Sequence, residues 1–543
     1  MIKLNKKLRE LIMKKIFYCF MFLTLLIARS GYCLEKLDYI HVISYEGDVA
    51  IKREEVEDWI EADLNMPLTE NDQIWVASKS KLELRTKNGS FVRLNEYTSL
   101  DILYLSKSGY QFYSEGGDVY INYKTGLSSF LQFDTPTITI MVYDNAKFRV
   151  EVFDDGETDV SVFEGEVYIT NRKHKITLRE DEKASFDENS ILERGEIYSL
   201  DNWEKWNISR DKTFSRDPMS VRYLPEELHS YAYDFDSNGR WIFEKEYGYV
   251  WQPTVIVIRD WAPYRHGYWV WIRGDYVWIS LEPWGWAPYH YGRWVYNSRY
   301  GWLWVPPSRG AVYWAPAYVG WVYTSDYICW VPLAPGEMYY GYGNYGPYSV
   351  NITNVNINVT KIVYKNINAP NGYAIIHKKN FLTAKQIYEK LKENPFISRK
   401  IQVGRPTFEH QEKKNIIGRK LINENKKPPR VLIERKIETI KGKKPFIAKE
   451  SPNILKGEKH PYEKRTIMKD KKIPEDIKKR EELKPAKKRE TQELKPVEQK
   501  KILKKREKFR EKIETQDTKP RKILEKDKNI DKKIERDFKK DKD

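Results

Sequence analysis

Between residues 40 and 195, apolar side chains recur at every second position in short runs, and polar or glycine-containing pairs break the runs. Asp48 to Lys52, Lys81 to Thr86, Ser90 to Leu94, Ser99 to Leu105, Asp118 to Tyr123 and Thr137 to Tyr143 are segments of this kind. A period of two puts alternate side chains on opposite faces of a strand. Short strands spaced at about ten residues predict an all-β sandwich or roll. The alternation is clearest from Lys147 to Phe153 and from Asp159 to Phe163, with Asp154, Asp155 and Gly156 between them. That pattern predicts a hairpin with one buried face.

From residue 241 the pattern changes to aromatic repetition. Residues 241–330 hold 14 of the 18 Trp. Trp261-Ala-Pro-Tyr-Arg-His-Gly-Tyr-Trp269 returns 25 residues later as Trp286-Ala-Pro-Tyr-His-Tyr-Gly-Arg-Trp294, and a shorter copy begins at Trp314. Such a period predicts small hairpins stacked on one another, because one unit cannot bury its own face. Aromatic residues also recur at i and i+2: Tyr249 with Trp251, Trp269 with Trp271, Tyr276 with Trp278, Trp284 with Trp286, Trp302 with Trp304. On strands the two rings of each pair share a face. They serve either as the interior of a domain poor in aliphatic residues or as a flat ligand platform made of Trp269, Trp271, Trp284, Trp286, Tyr289, His290, Trp294, Trp302 and Trp304.

Beyond the repeat, Val350 to Val359 alternates apolar residues with Asn and Thr and reads as a strand. Thr383 with Gln386 reads as the start of a short helix that ends at Asn394 and Pro395. Residues 401–543 lack Trp and carry a net charge of +21, whereas residues 34–400 hold 40 basic and 50 acidic side chains. A segment this polar cannot offset its ordering entropy by burial, so a disordered or partly helical basic tail is expected.

At the other end, Lys3 to Lys15 precede an apolar run from Ile16 to Ala28 and then Gly31, Tyr32 and Cys33. A charged segment, a short apolar run and small residues make a signal peptide, and the run is shorter than the ~20 residues that span a bilayer. The expected division is therefore signal peptide 1–33, β-domain 34–195, connector 196–240, Trp-rich repeat 241–350, strand and helix 351–400, and tail 401–543. The mature protein is expected in the periplasm or otherwise outside the cytoplasm. Only Cys329 follows the leader, so neither a disulfide framework nor a Cys-based zinc site is expected.

Several strings in 34–195 resemble the FecR family of bacterial envelope domains: Gly47-Asp-Val, Asn88-Gly-Ser with Val92-Arg-Leu, Phe133-Asp-Thr-Pro, and Val162-Phe-Glu-Gly-Glu-Val167. Asn71, Asp72 and Trp75, and later Asn145 and Ala146, depart from the family pattern. Residues 251–337 are similar to a Trp-rich bacterial domain of unknown function that commonly follows a FecR-like domain. Trp284-Gly-Trp-Ala-Pro, His290-Tyr-Gly-Arg-Trp, Gly301-Trp, Trp304-Val-Pro and Trp330-Val-Pro-Leu-Ala-Pro-Gly-Glu337 carry that likeness. The resemblance implies an extracytoplasmic β-module used for interaction or sensing.

Candidate chemistry is sparse. Asp234, Asp236, Asn238 and Gly239 occupy positions one, three, five and six of a calcium-loop pattern, but Lys245 stands where the bidentate Glu belongs. His266 and His290 sit at different offsets within related repeats, which points them to opposite strand faces. No nucleophile elbow, phosphate-binding glycine loop or paired-carboxylate motif is present, and no catalytic residue or cofactor is expected. The expected function is non-catalytic: an exported scaffold that binds a cell-wall glycan or envelope protein, with the tail held to anionic surface groups. The alternative is an accessory of extracytoplasmic signal sensing. Nucleic acid is an expected partner only for a chain retained in the cytoplasm.

Overall fold

The computed structural model describes residues 38–54, 58–126, 130–215, 217–254, 261–343, 345–352 and 364–382, with short pieces between 388 and 429 and a few residues between 504 and 511. The expected signal peptide 1–33, the 353–359 part of the expected strand and the helix expected from Thr383 lie outside them. The described residues are mainly β. Two compact units are present, one of residues 42–62, 70–215 and 420–543, the other of residues 1–41, 63–69 and 216–419.

The first unit is built of two sheets. One runs in the order Ile191–Glu196, Glu182–Phe186, Thr158–Glu164, Ala146–Val152, Gly117–Tyr123, Phe91–Leu94, Lys81–Thr86, Ile40–Glu46. The other runs Lys175–Arg179, Glu166–Thr170, Thr139–Val142, Phe130–Asp134, Gly109–Tyr113, Thr98–Ser106, Gln73–Val76, Val49–Lys52, Ile60–Glu61. Successive hairpins alternate between the sheets, which is how a roll or sandwich closes. The strands fall where the alternation predicts them, and the Ala146–Val152 hairpin pairs Phe148 with Val162 and Val150 with Val160 across a turn with Gly156 at φ +85°. One expectation fails: both faces of Ala146–Val152 are covered, with Arg149 and Glu151 as buried as their apolar neighbours.

The cover is a helix, Asn202–Phe214, in what reads as a connector. Asp201 and Glu204 form a capping box: Asp201 Oδ1 accepts from Glu204 N at 2.8 Å and Glu204 Oε2 accepts from Asp201 N at 2.7 Å. The remainder of the connector, Met219–Arg222, Glu226–Tyr231 and Ala232–Asn238, is a set of short helices in the second unit.

The second unit repeats one hairpin four times: Gly239–Glu244 with Gly248–Pro253, Gly267–Ile272 with Asp275–Ser280, Arg293–Asn297 with Gly301–Val305, and Val319–Tyr323 with Tyr327–Pro332. Each carries a Trp–Trp cross-strand pair: Trp241 with Trp251, Trp269 with Trp278, Trp294 with Trp304, Trp321 with Trp330. The second-strand rings, Trp251, Trp278, Trp304 and Trp330, have no exposed surface. Glycine makes room for three of them: a Cβ on Gly239, Gly267 or Gly292 would lie within 2.4 to 2.7 Å of Trp251, Trp278 or Trp304 respectively.

Pieces of the expected first domain complete this unit. Tyr39 shares a hydroxyl hydrogen bond with Tyr291 at 2.7 Å. Asn65, at φ +59°, donates from Nδ2 to the carbonyls of Ser280 at 3.0 Å and Glu282 at 2.8 Å. Asn tolerates that left-handed backbone better than other side chains.

Of the few described residues beyond 419, Ile422 is buried among first-unit side chains and Lys505 pairs with Glu157.

Candidate functional site

Four side chains stand in register across four neighbouring strands of the first unit: Glu83 opposite Arg93, Arg93 opposite Tyr120, and Tyr120 opposite Arg149. The helix Asn202–Phe214 engages this row. Arg149 donates to Asp118 at 2.7 Å, Glu151 at 2.9 Å, Asp201 at 2.9 Å and Glu204 at 2.9 Å. Arg93 donates to Glu83 at 2.6 Å and Asp211 at 2.7 Å, and the Tyr120 hydroxyl donates to Asp211 at 2.9 Å. Burial opposes both guanidinium charges, but the surrounding carboxylates outweigh it and hold the Arg93 and Arg149 pKa values above the ordinary arginine value. A buried cation that meets this many carboxylates is compensated, and removing one partner leaves the rest exposed to the full desolvation cost.

Beside the helix N-terminus an open cleft of about 400 Å³ is lined by Lys81, Tyr97, Phe153, Trp203 and Trp206 among others. Trp203 and Trp206 stack with centroids 5.0 Å apart and planes 11° from parallel, and Lys81 Nζ lies 5.0 Å from the Trp206 centroid. Trp203 is buried and its Nε1 meets no acceptor among the described residues, whereas Trp206 is half-buried and faces open space in part. Asp118, Glu151 and Asp201 also line the cleft but are held by Arg149. The arrangement offers an aromatic shelf with fixed charge beside it. Such a shelf accepts a flat group, because the Lys81 ammonium over Trp206 already holds the cation position.

The rings that read either as interior or as platform are brought together as interior. Trp269, Trp284, Trp286, Tyr289, His290, Trp294, Trp302 and Trp304 are each at most 5% exposed, and Trp271 is half-buried. The reading of Trp284 and Trp286 as a strand pair also fails, because Trp286 to His290 is a one-turn helix. Indole nitrogens are tied to backbone carbonyls: Trp251 to Phe235 at 3.0 Å, Trp294 to Pro288 at 3.0 Å, Trp304 to Tyr291 at 2.9 Å, Trp330 to Tyr264 at 2.9 Å. His290 Nδ1 lies 2.8 Å from the Ala315 carbonyl, and burial pushes the imidazole pKa down to about 4. His266 instead lies half-exposed, 3.7 Å from Glu282.

The calcium-loop candidate is overturned. Asp234, Asp236 and Asn238 lie in the helix Ala232–Asn238, not in a loop. Asp236 accepts from the backbone N–H of Met219 at 2.6 Å and of Ser220 at 3.0 Å, so its carboxylate serves a neighbouring helical turn. Asn238 donates to the Asp234 carbonyl at 2.8 Å. Among the described residues no group of His, Cys, Asp and Glu is placed to hold a metal ion.

The Arg93 and Arg149 clusters went unread in the sequence, although signals existed. Charged residues at the outward positions of strongly apolar strands, and the Asp201-x-x-Glu204 capping box, together mark a strand face covered by a helix.

The fold thus defines a two-unit, mainly β protein with a helix-braced sheet module and a tryptophan-cored hairpin repeat. Residues 72–168 match the family model described as FecR protein, and residues 232–337 match a family of unknown function, DUF6600. The chain therefore carries a FecR domain followed by a DUF6600 domain. Two crystal structures of a putative anti-sigma factor from Parabacteroides distasonis are similar to part of it. One is 19% identical over 27% of this chain and 69% of its own, and the other 18% identical over 28% and 70%, each with a TM-score of 0.22. No curated protein matches the chain. Among the described residues, no helix is long and apolar enough to cross a membrane.

Proposed function

We propose that the chain is a non-catalytic, exported accessory of extracytoplasmic signal sensing, whose FecR domain receives a protein partner in the cleft beside Trp203 and Trp206. The observation that carries this reading is the cleft itself: a partly open Trp206 stacked on a buried Trp203, with Lys81 against its ring. The clamp of Arg93 and Arg149 on the helix fixes the shelf before a partner arrives, which lowers the ordering cost of binding. The FecR match supports the signalling side of the reading, and the leader supports export. A protruding aromatic side chain is the group that fits. Binding of a glycan by the Trp-rich repeat is the weaker reading, because its rings are turned inward.

The test is a full-length chain carrying Trp206→Ala and Lys81→Ala, expressed in place of the parent. The variant is expected to reproduce the change in envelope-stress transcripts caused by deletion while keeping the parental thermal midpoint. Unchanged transcripts in the deletion strain, or a variant indistinguishable from the parent, overturn the reading. Export has its own check: the mature chain should begin near residue 34, and cytosolic protein starting at Met1 or Met13 would refute it.

A further inference from the structure

The edge of the second sheet is not bare. Ile60–Glu61 is its terminal strand, and just before it the Trp59 carbonyl accepts from the backbone N–H of Ile422 at 3.0 Å. The Ile422 side chain is 4% exposed and packs in a cluster of Ala50, Trp75 and Tyr97, with Trp59 against it. Further along the same segment, Lys426 Nζ lies 2.7 Å from Asp48 Oδ1 and Lys427 Nζ 2.5 Å from Asp58 Oδ1. Pro428 and Pro429 are buried. The Lys427 hydrogen bond holds the Asp58 carboxyl below its usual pKa. One main-chain hydrogen bond beside the edge strand, one apolar pocket and two charged anchors hold the segment, and Lys426 N donates to the Asn423 carbonyl at 2.9 Å, so it docks as a turn and not as an added strand.

We propose that this edge is a docking site for a peptide bearing an aliphatic residue followed, four and five positions later, by two lysines, and that the chain's own Ile422, Lys426 and Lys427 are its resident occupants. The apolar pocket supplies affinity, because an uncovered cluster of Trp59, Trp75 and Ala50 would face water. The two aspartates supply selectivity for the lysines and make binding weaker at high salt. A covalently attached occupant acts at high local concentration, so a free peptide reaches the site only in the fraction of molecules whose tail has let go. Tyr97 belongs both to this cluster and to the lining of the cleft, but the docking reading does not rest on the signalling one.

The experiment uses the full chain with Ile422→Asp, Lys426→Glu and Lys427→Glu, which empties the edge, and a fluorescein-labelled peptide of residues 419–430. Fluorescence anisotropy is expected to give an affinity for the emptied chain at least about tenfold above that for the parent. Adding Asp48→Asn and Asp58→Asn is expected to weaken that binding and to remove most of its salt dependence. Equal affinity for parent and emptied chain, or no binding by an emptied chain with the parental circular dichroism, overturns the proposal. Should the triple variant not fold, hydrogen exchange on the parent decides. The Ile422 amide is expected to exchange at least about tenfold more slowly than in the free peptide, and equal rates overturn the proposal.

Discussion

Arg93 in one strand and Asp211 in the helix that crosses it are joined by a 2.7 Å hydrogen bond, although 118 residues separate them in the chain. Both side chains are buried, so the bond ties the FecR domain's sheet to a helix beyond the matched residues. Asp211→Ala leaves the Arg93 charge with the Asn207 carbonyl and with Glu83, which Arg210 shares, and takes a partner from Tyr120. The expected cost is about 3 to 5 kcal/mol in urea unfolding, with loss of helix signal. Replacing Arg93, Glu83 and Asp211 together by apolar residues of similar size should cost less than that single change.

Acid should act on the two units in opposite directions. His290 titrates near 4 when folded and near 6.5 when unfolded, so the unfolded chain binds the extra proton between those values. Its contribution of about 3 kcal/mol is present above pH 6.5 and lost as pH falls toward 4. Burial raises Asp159 to about 6 from 3.8, so there the folded chain holds the extra proton. That contribution, also about 3 kcal/mol, is present below pH 3.8 and lost as pH rises through 6. Thermal unfolding of His290→Gln and Asp159→Asn against the parent at pH 4 and 7 checks both signs.

The hairpin glycines are expected to be intolerant of even a methyl group. In Gly267→Ala the new Cβ meets the Ile279 carbonyl at 2.3 Å and Trp278 at 2.6 Å, for a cost of about 1 to 3 kcal/mol. Gly195→Ala, with nothing within 4 Å, should change stability by less than about 0.5 kcal/mol.

Two indoles of the ladder differ in one hydrogen bond. Trp304 Nε1 reaches the Tyr291 carbonyl at 2.9 Å, whereas Trp278 Nε1 meets no acceptor among the described residues. Trp304→Phe should therefore cost about 1 kcal/mol more than Trp278→Phe by denaturant unfolding, because only the first leaves a carbonyl without its donor.

Cys329 has no exposed surface, and burial pushes its thiol up to about 12. A thiol that stays protonated and covered should resist a disulfide reagent in the native chain and react fully once unfolded. Fast labelling of native protein would contradict the Val319–Tyr323 and Tyr327–Pro332 hairpin.

The strands of the first unit were legible because a period of two is a local property of the chain. The hairpin repeat was legible too, from its returning Trp-Ala-Pro strings, although the copies differ in backbone: Tyr264 takes φ +59° while Trp286 to His290 winds into a helical turn. What could not be read was which face a ring or a charge meets. Trp269 and Trp302 have the same spacing in an interior as on a platform, and only long-range packing decides between them. Arg149 lies on the face that a hairpin with one buried face would leave open, and the helix capped by Asp201, 52 residues later, closes over it. The hairpin unit likewise takes in residues from the expected first domain, since Asn65 finds its acceptors at Ser280 and Glu282.

The concentration of indoles in one unit also determines what spectroscopy of this protein reports. Trp59, Trp75, Trp203 and Trp206 are the indoles of the sheet unit, against fourteen in the hairpin repeat. Melting followed by intrinsic emission is therefore weighted toward the repeat, and loss of structure in the sheet unit is better followed by a backbone signal.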